Sequence, residues 1–469
     1  MKTVNVKILD KAPVPKTRDS LPVLLTLAIG FIMAMIDVTA VNVALPDISL
    51  NLSVPLTGLV WVIDGYTLTF AALLLAGGAL ADRFGPKSVY QAGLIFFLLS
   101  SALCGIAPSG DVLIGARLLQ GIGAAMFMPS SLSLLTHAFE DERTRVKMVG
   151  TWSAMVGASV AVGPLIGGVL VHQFGWRSVF LINLPIGVIG IAMTQILISA
   201  APKHDRPLSL ISHGLGVLLL GALSFFLIEG PSLGWSTAPV LSAVAIFVAA
   251  VIALVRHERR GAHPLLPRAL FEASSFAAVN VVGFLFNFGM FGLIFLLSLY
   301  LQQARGAGAL QAGLQLVPMM AGITVGNLCS GRFSARFGMP KVILVCSCAA
   351  AIVALVVAIG QRYMPYPLLL LCVTVMSLLV AIAIPAMTTM AMQIAGRTYA
   401  NSAAAALNAN RQIGALVGVA LMGVILHGVP DWAIRLSLAF GTFTLAFGVV
   451  SFLAYRFVSV SKPTVPGGA

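Results

Sequence analysis

The chain has 469 residues, of which 59% are hydrophobic and 9% charged, with mean hydropathy +1.01. Soluble domains carry about 45–50% apolar and about 25% charged residues, so a water-soluble enzyme or a nucleic-acid-binding domain is excluded despite the formal net charge of +13. The five cysteines, Cys104, Cys329, Cys346, Cys348 and Cys372, all lie in apolar runs, which implies neither a disulfide framework nor a metal site.

Taken in chain order, a basic tail at 1–21 leads into a succession of apolar stretches long enough to cross a bilayer as helices. Lipid cannot satisfy free backbone groups, and about 20 helical residues span its apolar core. The expected spans are 22–45, 57–80, 88–107, 112–135, 146–172, 178–200, 210–230, 238–256, 275–301, 310–330, 341–360, 366–393, 402–427 and 432–456, fourteen in all. The first follows a basic tail as a secretory signal would, but it contains Asp37 and lacks a clear small-residue cleavage site, so it reads as a retained helix.

Alternate loops distribute the basic residues unevenly. Of 28 Lys and Arg, 22 fall on the side of the N-terminus, among them Arg83, Lys87, Arg143, Lys147, Arg256 and Arg268. Arg177, Arg305, Arg362 and Arg435 fall opposite, and Arg117 and Arg411 lie within spans. The positive-inside rule then predicts that both termini are cytoplasmic and that the chain is multi-pass in the plasma membrane.

An internal repeat sets the domain organisation. Gly78-Ala-Leu-Ala-Asp82-Arg83-Phe-Gly85 aligns with Gly331-Arg-Phe-Ser-Ala335-Arg336-Phe-Gly338, and the offset of 253 residues covers eight helices. This predicts two six-helix bundles, 22–200 and 275–456, separated at 201–274 by two peripheral extra helices and a cytoplasmic linker, with a C-terminal tail at 457–469. Duplicated bundles of this kind are common among secondary transporters.

At these residues a family comes into view. Gly78, Asp82, Arg83, Gly85 and Lys87 resemble the loop between helices 2 and 3 of the major facilitator superfamily, with Pro86 where a basic residue is usual. Arg117-Leu-Leu-Gln120-Gly121 resembles its fourth-helix motif, and Gly157, Gly163, Pro164, Gly167 and Gly168 resemble the fifth-helix motif of its antiporters. Asp37-Val-Thr-Ala-Val-Asn42-Val-Ala-Leu-Pro46 and Gly175 to Pro185 are similar to the fourteen-helix drug:proton antiporter branch. The resemblance implies an all-α major facilitator fold with two inserted central helices. It also implies a conformational latch at the 78–87 loop, a packing hinge or seal at the 157–168 glycines, and proton coupling through Asp37.

Physical chemistry supports the same residues independently. Charge at the bilayer centre costs at least about 2.5–3.5 kcal/mol and faces a cavity or a partner. Counted at 1.5 Å per residue from the expected helix ends, Asp37, Asp64 and Arg117 lie about 12, 10 and 8 Å below one surface. They can therefore form one network in which a carboxylate pairs with Arg117 and the other titrates. The resemblance marks an acid at Asp64 as a feature of members that handle hydrophobic cations.

Arg411 is placed near the cytoplasmic end of its helix, where snorkelling is cheap, and its role is left open. Trp61, Phe288 and Phe291 are aromatic candidates for a drug cavity, as are Tyr66, Trp152 and Tyr300, although interfacial enrichment explains Trp61 and Tyr300 equally well. Asn280 and Asn287, seven apart, share a helix face. Asp37 and Asp64 are also substrate-binding candidates. The seven histidines lie at or near loops, which argues against a histidine proton relay.

The expectation is a proton-coupled antiporter, not an enzyme, exporting amphipathic and cationic compounds. The alternative is export of an endogenous natural product, neutral or anionic. No cofactor is expected beyond the proton gradient, since no Gly-rich phosphate loop ending in Lys-Ser/Thr is present. The expected partners are small-molecule substrate, protons and lipid, with the monomer as the working unit. A membrane sensor or enzyme finds no metal set or nucleophile-base pair to support it.

Overall fold

The computed structural model describes residues 20–139, 141–199, 209–260, 270 and 274–458. The expected tails at 1–21 and 457–469 fall outside the described residues apart from their helical edges, as does the linker at 261–269. Among the described residues, fourteen helices are long and apolar enough to cross a membrane. They are α1 (Ser20–Leu52), α2 (Leu56–Phe84), α3 (Pro86–Gly105), α4 (Gly110–Ala138), α5 (Glu142–Phe174), α6 (Ser178–Leu197), α7 (Leu210–Leu233) and α8 (Ala238–Arg260), followed by α9 (Ser274–Ala304), α10 (Ala309–Phe337), α11 (Met339–Gly360), α12 (Tyr366–Gly396), α13 (Ser402–Gly428) and α14 (Trp432–Phe457). Because each helix reverses the last, the bundle has a proximal end, where α1 begins, and a distal end.

Local chemistry fixes the helix ends. Ser109 and Asp431 accept hydrogen bonds from the backbone N–H groups of Val112 and Ala433, answering donors that a first turn leaves free. Asp141 caps α5 by accepting from the N–H and the hydroxyl of Thr144 at 2.8 and 2.7 Å. The backbone N–H first, and then the hydroxyl, hold its carboxyl below the usual value. The two copies of the repeat turn alike: Gly85 and Gly338 have φ 96° and 84°, conformations that favour glycine. Each glycine N–H returns to a carbonyl four residues back, on Ala81 and Ser334. In each copy the arginine also lies over its neighbouring phenylalanine, Arg83 on Phe84 and Arg336 on Phe337.

Glycines bring helices within each bundle into backbone contact. A Cβ at Gly77 of α2 would stand 1.9 Å from the Ala125 carbonyl oxygen of α4, and one at Gly326 of α10 would stand 2.6 Å from that of Leu378 in α12. Small residues at crossings are the usual device where lipid leaves no hydrophobic force between helices. Gly77→Ala is therefore expected to lower stability by about 1–3 kcal/mol, the range for overpacking. Gly441→Ala, whose Cβ meets nothing within 4 Å, should leave the melting temperature of the purified protein unchanged or raised.

The inserted helices differ from each other. α7 packs against α2 and α13 as well as α8, whereas α8 rests mainly on α7 and is largely exposed along its sides. Ser212 near the start of α7 donates to Glu258 near the end of α8 at 2.6 Å.

Candidate functional site

A cavity of about 1640 Å³ lies between the two bundles and opens at the proximal end. Its wall runs from the proximal ends of α2, α4, α5, α10, α12 and α13 inward to Tyr66, Asn287, Met290, Phe291 and Ala415. The distal half is closed by backbone contact. Cβ atoms on Gly163 and Gly167 of α5 would strike Thr39 and Ala40 of α1, and one on Gly168 would lie 2.8 Å from the Ala309 carbonyl oxygen of α10. Pro164 contributes from the other direction, since a Cβ on Gly313 would lie 2.6 Å from its carbonyl oxygen. Ser298 and Gln302 of α9 donate to the backbone carbonyls of Asn42 and Val43 at 2.6 and 3.1 Å. Of this glycine set, Gly157 stands apart on the cavity wall.

That asymmetry yields an accessibility prediction. With the five native cysteines replaced, cysteines at Ser133 or Thr388 should react with a membrane-impermeant maleimide applied to the proximal side, and cysteines at Ala40 or Ala312 should not. Equal labelling of both pairs would contradict the closed distal half.

Beside the cavity, inside the N-terminal bundle, is a fully buried polar centre. Arg117 pairs with Asp37 at 2.5 Å and donates to Gln120 Oε1 at 2.5 Å and to the Val62 carbonyl at 2.9 Å. The other Asp37 oxygen accepts from Gln120 at 3.1 Å and from Asn183 at 3.0 Å, and both of those amides also donate to Ser101. Tyr66 and Phe180 present ring faces to the guanidinium at 4.6 and 5.7 Å, which adds cation–π attraction. Five helices, α1, α2, α3, α4 and α6, thus meet in one hydrogen-bond network. Arg117 and Gln120 share a face of α4 because they are three residues apart. Gln120 and Asn183 fall within the family-like motifs without an assigned role, and Ser101 lies outside them.

Asp64 is not part of this network. It is fully buried, and neither carboxylate oxygen has a hydrogen-bond partner among the described residues. Neighbouring turns of α2 face α7 and α13: Leu68 clusters with Leu220 and Leu416, and Val60 would meet a Cβ on Gly423 at 2.7 Å. The expected single network of Asp37, Asp64 and Arg117 is therefore divided into a paired centre and a solitary acid. The depth count also shifts, because α1 runs on through Pro46 to Leu52.

Several cavity candidates are corrected. The indole N–H of Trp61 donates to Glu229 of α7 at 2.8 Å, tying the inserted pair to α2. Phe288 packs edge-on against Phe443, and Asn280 returns its amide to Phe276 while its backbone carbonyl accepts from Asn410. Neither Asp37 nor Asp64 lines the cavity, whereas Asn287, Phe291, Tyr66 and Trp152 do. Arg411, expected near a helix end, lies well inside, on the cavity wall. Of the 78–87 loop, Gly78 and Asp82 border the mouth, and Lys87 donates to the Gln195 carbonyl of α6 in its own bundle at 3.3 Å.

The family model for the Major Facilitator Superfamily matches residues 27–210, 196–419 and 279–468. The chain belongs to this superfamily. It is 47% identical over 444 residues to a methylenomycin A resistance protein of Bacillus subtilis (strain 168), covering 94% of this chain and 95% of the relative. A Streptomyces coelicolor (strain ATCC BAA-471 / A3(2) / M145) protein of the same name is 46% identical over 433 residues, covering 92% and 91%. The multidrug resistance protein Stp of Mycobacterium tuberculosis (strain CDC 1551 / Oshkosh) is 33% identical over 413 residues, 87% of this chain and 76% of that one. The crystal structure of the nucleoside transporter NupG superposes with TM-score 0.64 over 95% of this chain and 100% of that chain, at 13% identity, a likeness that establishes the fold alone. With these relatives, this major facilitator protein is a drug efflux transporter rather than an enzyme.

Proposed function

We propose that this major facilitator protein exchanges protons for a small amphipathic antibiotic, methylenomycin A or a molecule of related chemistry, by alternating access across the plasma membrane. The observation that carries the proposal is the pairing of a one-ended cavity with a buried Asp37–Arg117 ion pair on the adjacent helices. In the state described here the cavity admits cargo from the proximal side, and the excess of basic residues in the loops there supports a cytoplasmic location. Passage outward requires the α1–α5, α5–α10 and α1–α9 contacts to part and the proximal ends to close, with the 78–87 loop serving as the latch of the closed state.

Protonation of Asp37 would neutralise one member of its ion pair and leave Arg117 buried without a counter-charge, a change costly enough to bias one state over the other. Asp64 adds a second proton-bearing group, since an ionised carboxylate without a partner is strongly disfavoured in a membrane interior. One chain encloses the cavity, which supports the monomer as the working unit.

The test is uptake of methylenomycin A into proteoliposomes holding the purified protein, with and without an imposed pH gradient. Gradient-dependent uptake, with substrate-induced proton movement in the opposite direction, is expected; uptake unaffected by the gradient removes proton coupling. For orientation, reporters fused to both termini and placed in the loop at 256–274 should all be cytoplasmic, and labelling of that loop from outside intact cells would reverse the assignment.

A further inference from the structure

Arg117 and Arg411 both lie well inside their helices, and the structure treats them differently. Arg117 is answered on every side by a carboxylate, an amide oxygen and a backbone carbonyl. Arg411 stands on α13 roughly 13 Å inward from the helix start at Ser402, at 1.5 Å per residue. Its Nε is buried and makes no hydrogen bond, and no carboxylate pairs with it among the described residues. The side chain as a whole is half-buried and forms part of the cavity wall beside Asn408 and Gln412. Its stem is laid against α9 by the absence of a side chain at Gly283, where a Cβ would come within 3.3 Å of Arg411 Cγ. Asn287, one turn further along α9, lines the same space.

The other titratable groups on the wall lie elsewhere. Asp82 is in the last turns of α2, His137 in the last turn of α4 and His213 in the first turn of α7, all at the proximal mouth, and Tyr66 lies on the floor. The two acids that suggested cationic cargo, Asp37 and Asp64, are behind the wall. Among the described residues, the fixed charge that cargo meets inside the cavity is therefore positive. A guanidinium on the cavity wall without a counter-charge repels a cation, whereas a carboxylate gains charge-assisted, often bidentate, hydrogen bonds from it.

We propose that Arg411 is the recognition residue for an amphipathic organic acid. The cargo's anionic group sits on this guanidinium with the amides of Asn408 and Gln412 alongside, and its apolar body lies against Phe31, Met290 and Phe291. This deepens the export reading and rests on it for its biological meaning, but it is tested by binding alone.

The experiment uses the purified full chain in detergent, without a gradient, and three probes of one shape: 2-naphthoate, 2-naphthamide and (2-naphthylmethyl)ammonium. Wild type should bind the carboxylate at least about tenfold more tightly than the amide, as expected for a hydrogen bond to a charged group, and the ammonium most weakly. Arg411→Gln should bring naphthoate down to the level of naphthamide and leave naphthamide unchanged, whereas Arg411→Lys should retain part of the preference. The proposal is overturned if wild type shows no preference for the carboxylate, if it binds the ammonium most tightly, if it fails to bind naphthoate, or if Arg411→Gln weakens all three probes equally. The wild-type ranking decides even where a variant fails to fold. Acid-selective binding without proteoliposome uptake would count against export alone, and uptake without acid preference against the Arg411 site alone.

Discussion

Asp37→Asn is expected to abolish gradient-driven uptake, reducing it to the rate seen without a pH gradient. Asparagine keeps the size of the side chain and can accept from Arg117, but it has no proton to release. It also turns an amide N–H₂ toward Gln120 and Asn183, which already donate to the second Asp37 oxygen. Arg117 would then be buried without its counter-charge, and removing one partner of a buried pair costs about 3–5 kcal/mol. The single variant should therefore melt lower as well as fail to couple. Asp37→Asn combined with Arg117→Gln separates the two effects, because it removes both charges and should recover stability without recovering coupling. Substrate-induced proton release that persists in the Asp37→Asn protein would exclude this carboxylate from the coupling step.

How much of this could be read from the sequence depended on which physical rule applied. The membrane imposes apolar runs of fixed length, so the fourteen helices are legible, and the 78–85 and 331–338 octets reveal the duplication through turns that need glycine at 85 and 338. Helix ends are less legible, because α1 continues past Pro46 to Leu52 and α10 to Phe337 through residues polar enough to read as loop. Asp37 and Arg117 can be matched by depth, but depth says nothing of azimuth. Asp64 lies at a similar level on a face of α2 turned toward α7 and α13, which only the inserted pair's docking decides.

Aromatic residues carried the weakest signal. Trp61 and Phe291 look alike in a hydropathy reading, yet one bonds to Glu229 and the other faces the cavity. Gln120 and Asn183 had a usable signal: each is a polar residue embedded in an apolar helix, and Gln120 stands three residues from Arg117. Arg411 was misplaced for a different reason. Its place toward the start of α13 reads as interfacial only where lipid surrounds the helix, whereas the cavity carries the aqueous side far into the bundle.

The second large effect is expected at Asp64, where replacement should stabilise the protein and stop it working. Leucine has the heavy-atom skeleton of aspartate, with methyl groups where the carboxylate has oxygens, so Asp64→Leu keeps the shape of the seam among α2, α7 and α13. It removes two buried oxygens that have no hydrogen-bond partner; a single unanswered polar group costs about 1–3 kcal/mol. The neighbouring Leu68, Leu220 and Leu416 cluster offers the new side chain an apolar setting. The melting temperature of the purified transporter should therefore rise above wild type, while gradient-driven uptake falls to the level of empty liposomes. A residue retained at a cost to stability is one whose proton, or whose exposure in the alternate state, the cycle uses. Because Asp64 does not line the cavity, the loss should extend to every substrate the transporter moves rather than to cations alone. A lower melting temperature together with undiminished uptake would show instead that the carboxyl is a structural part of the seam, and would leave Asp37 as the proton site of this pair.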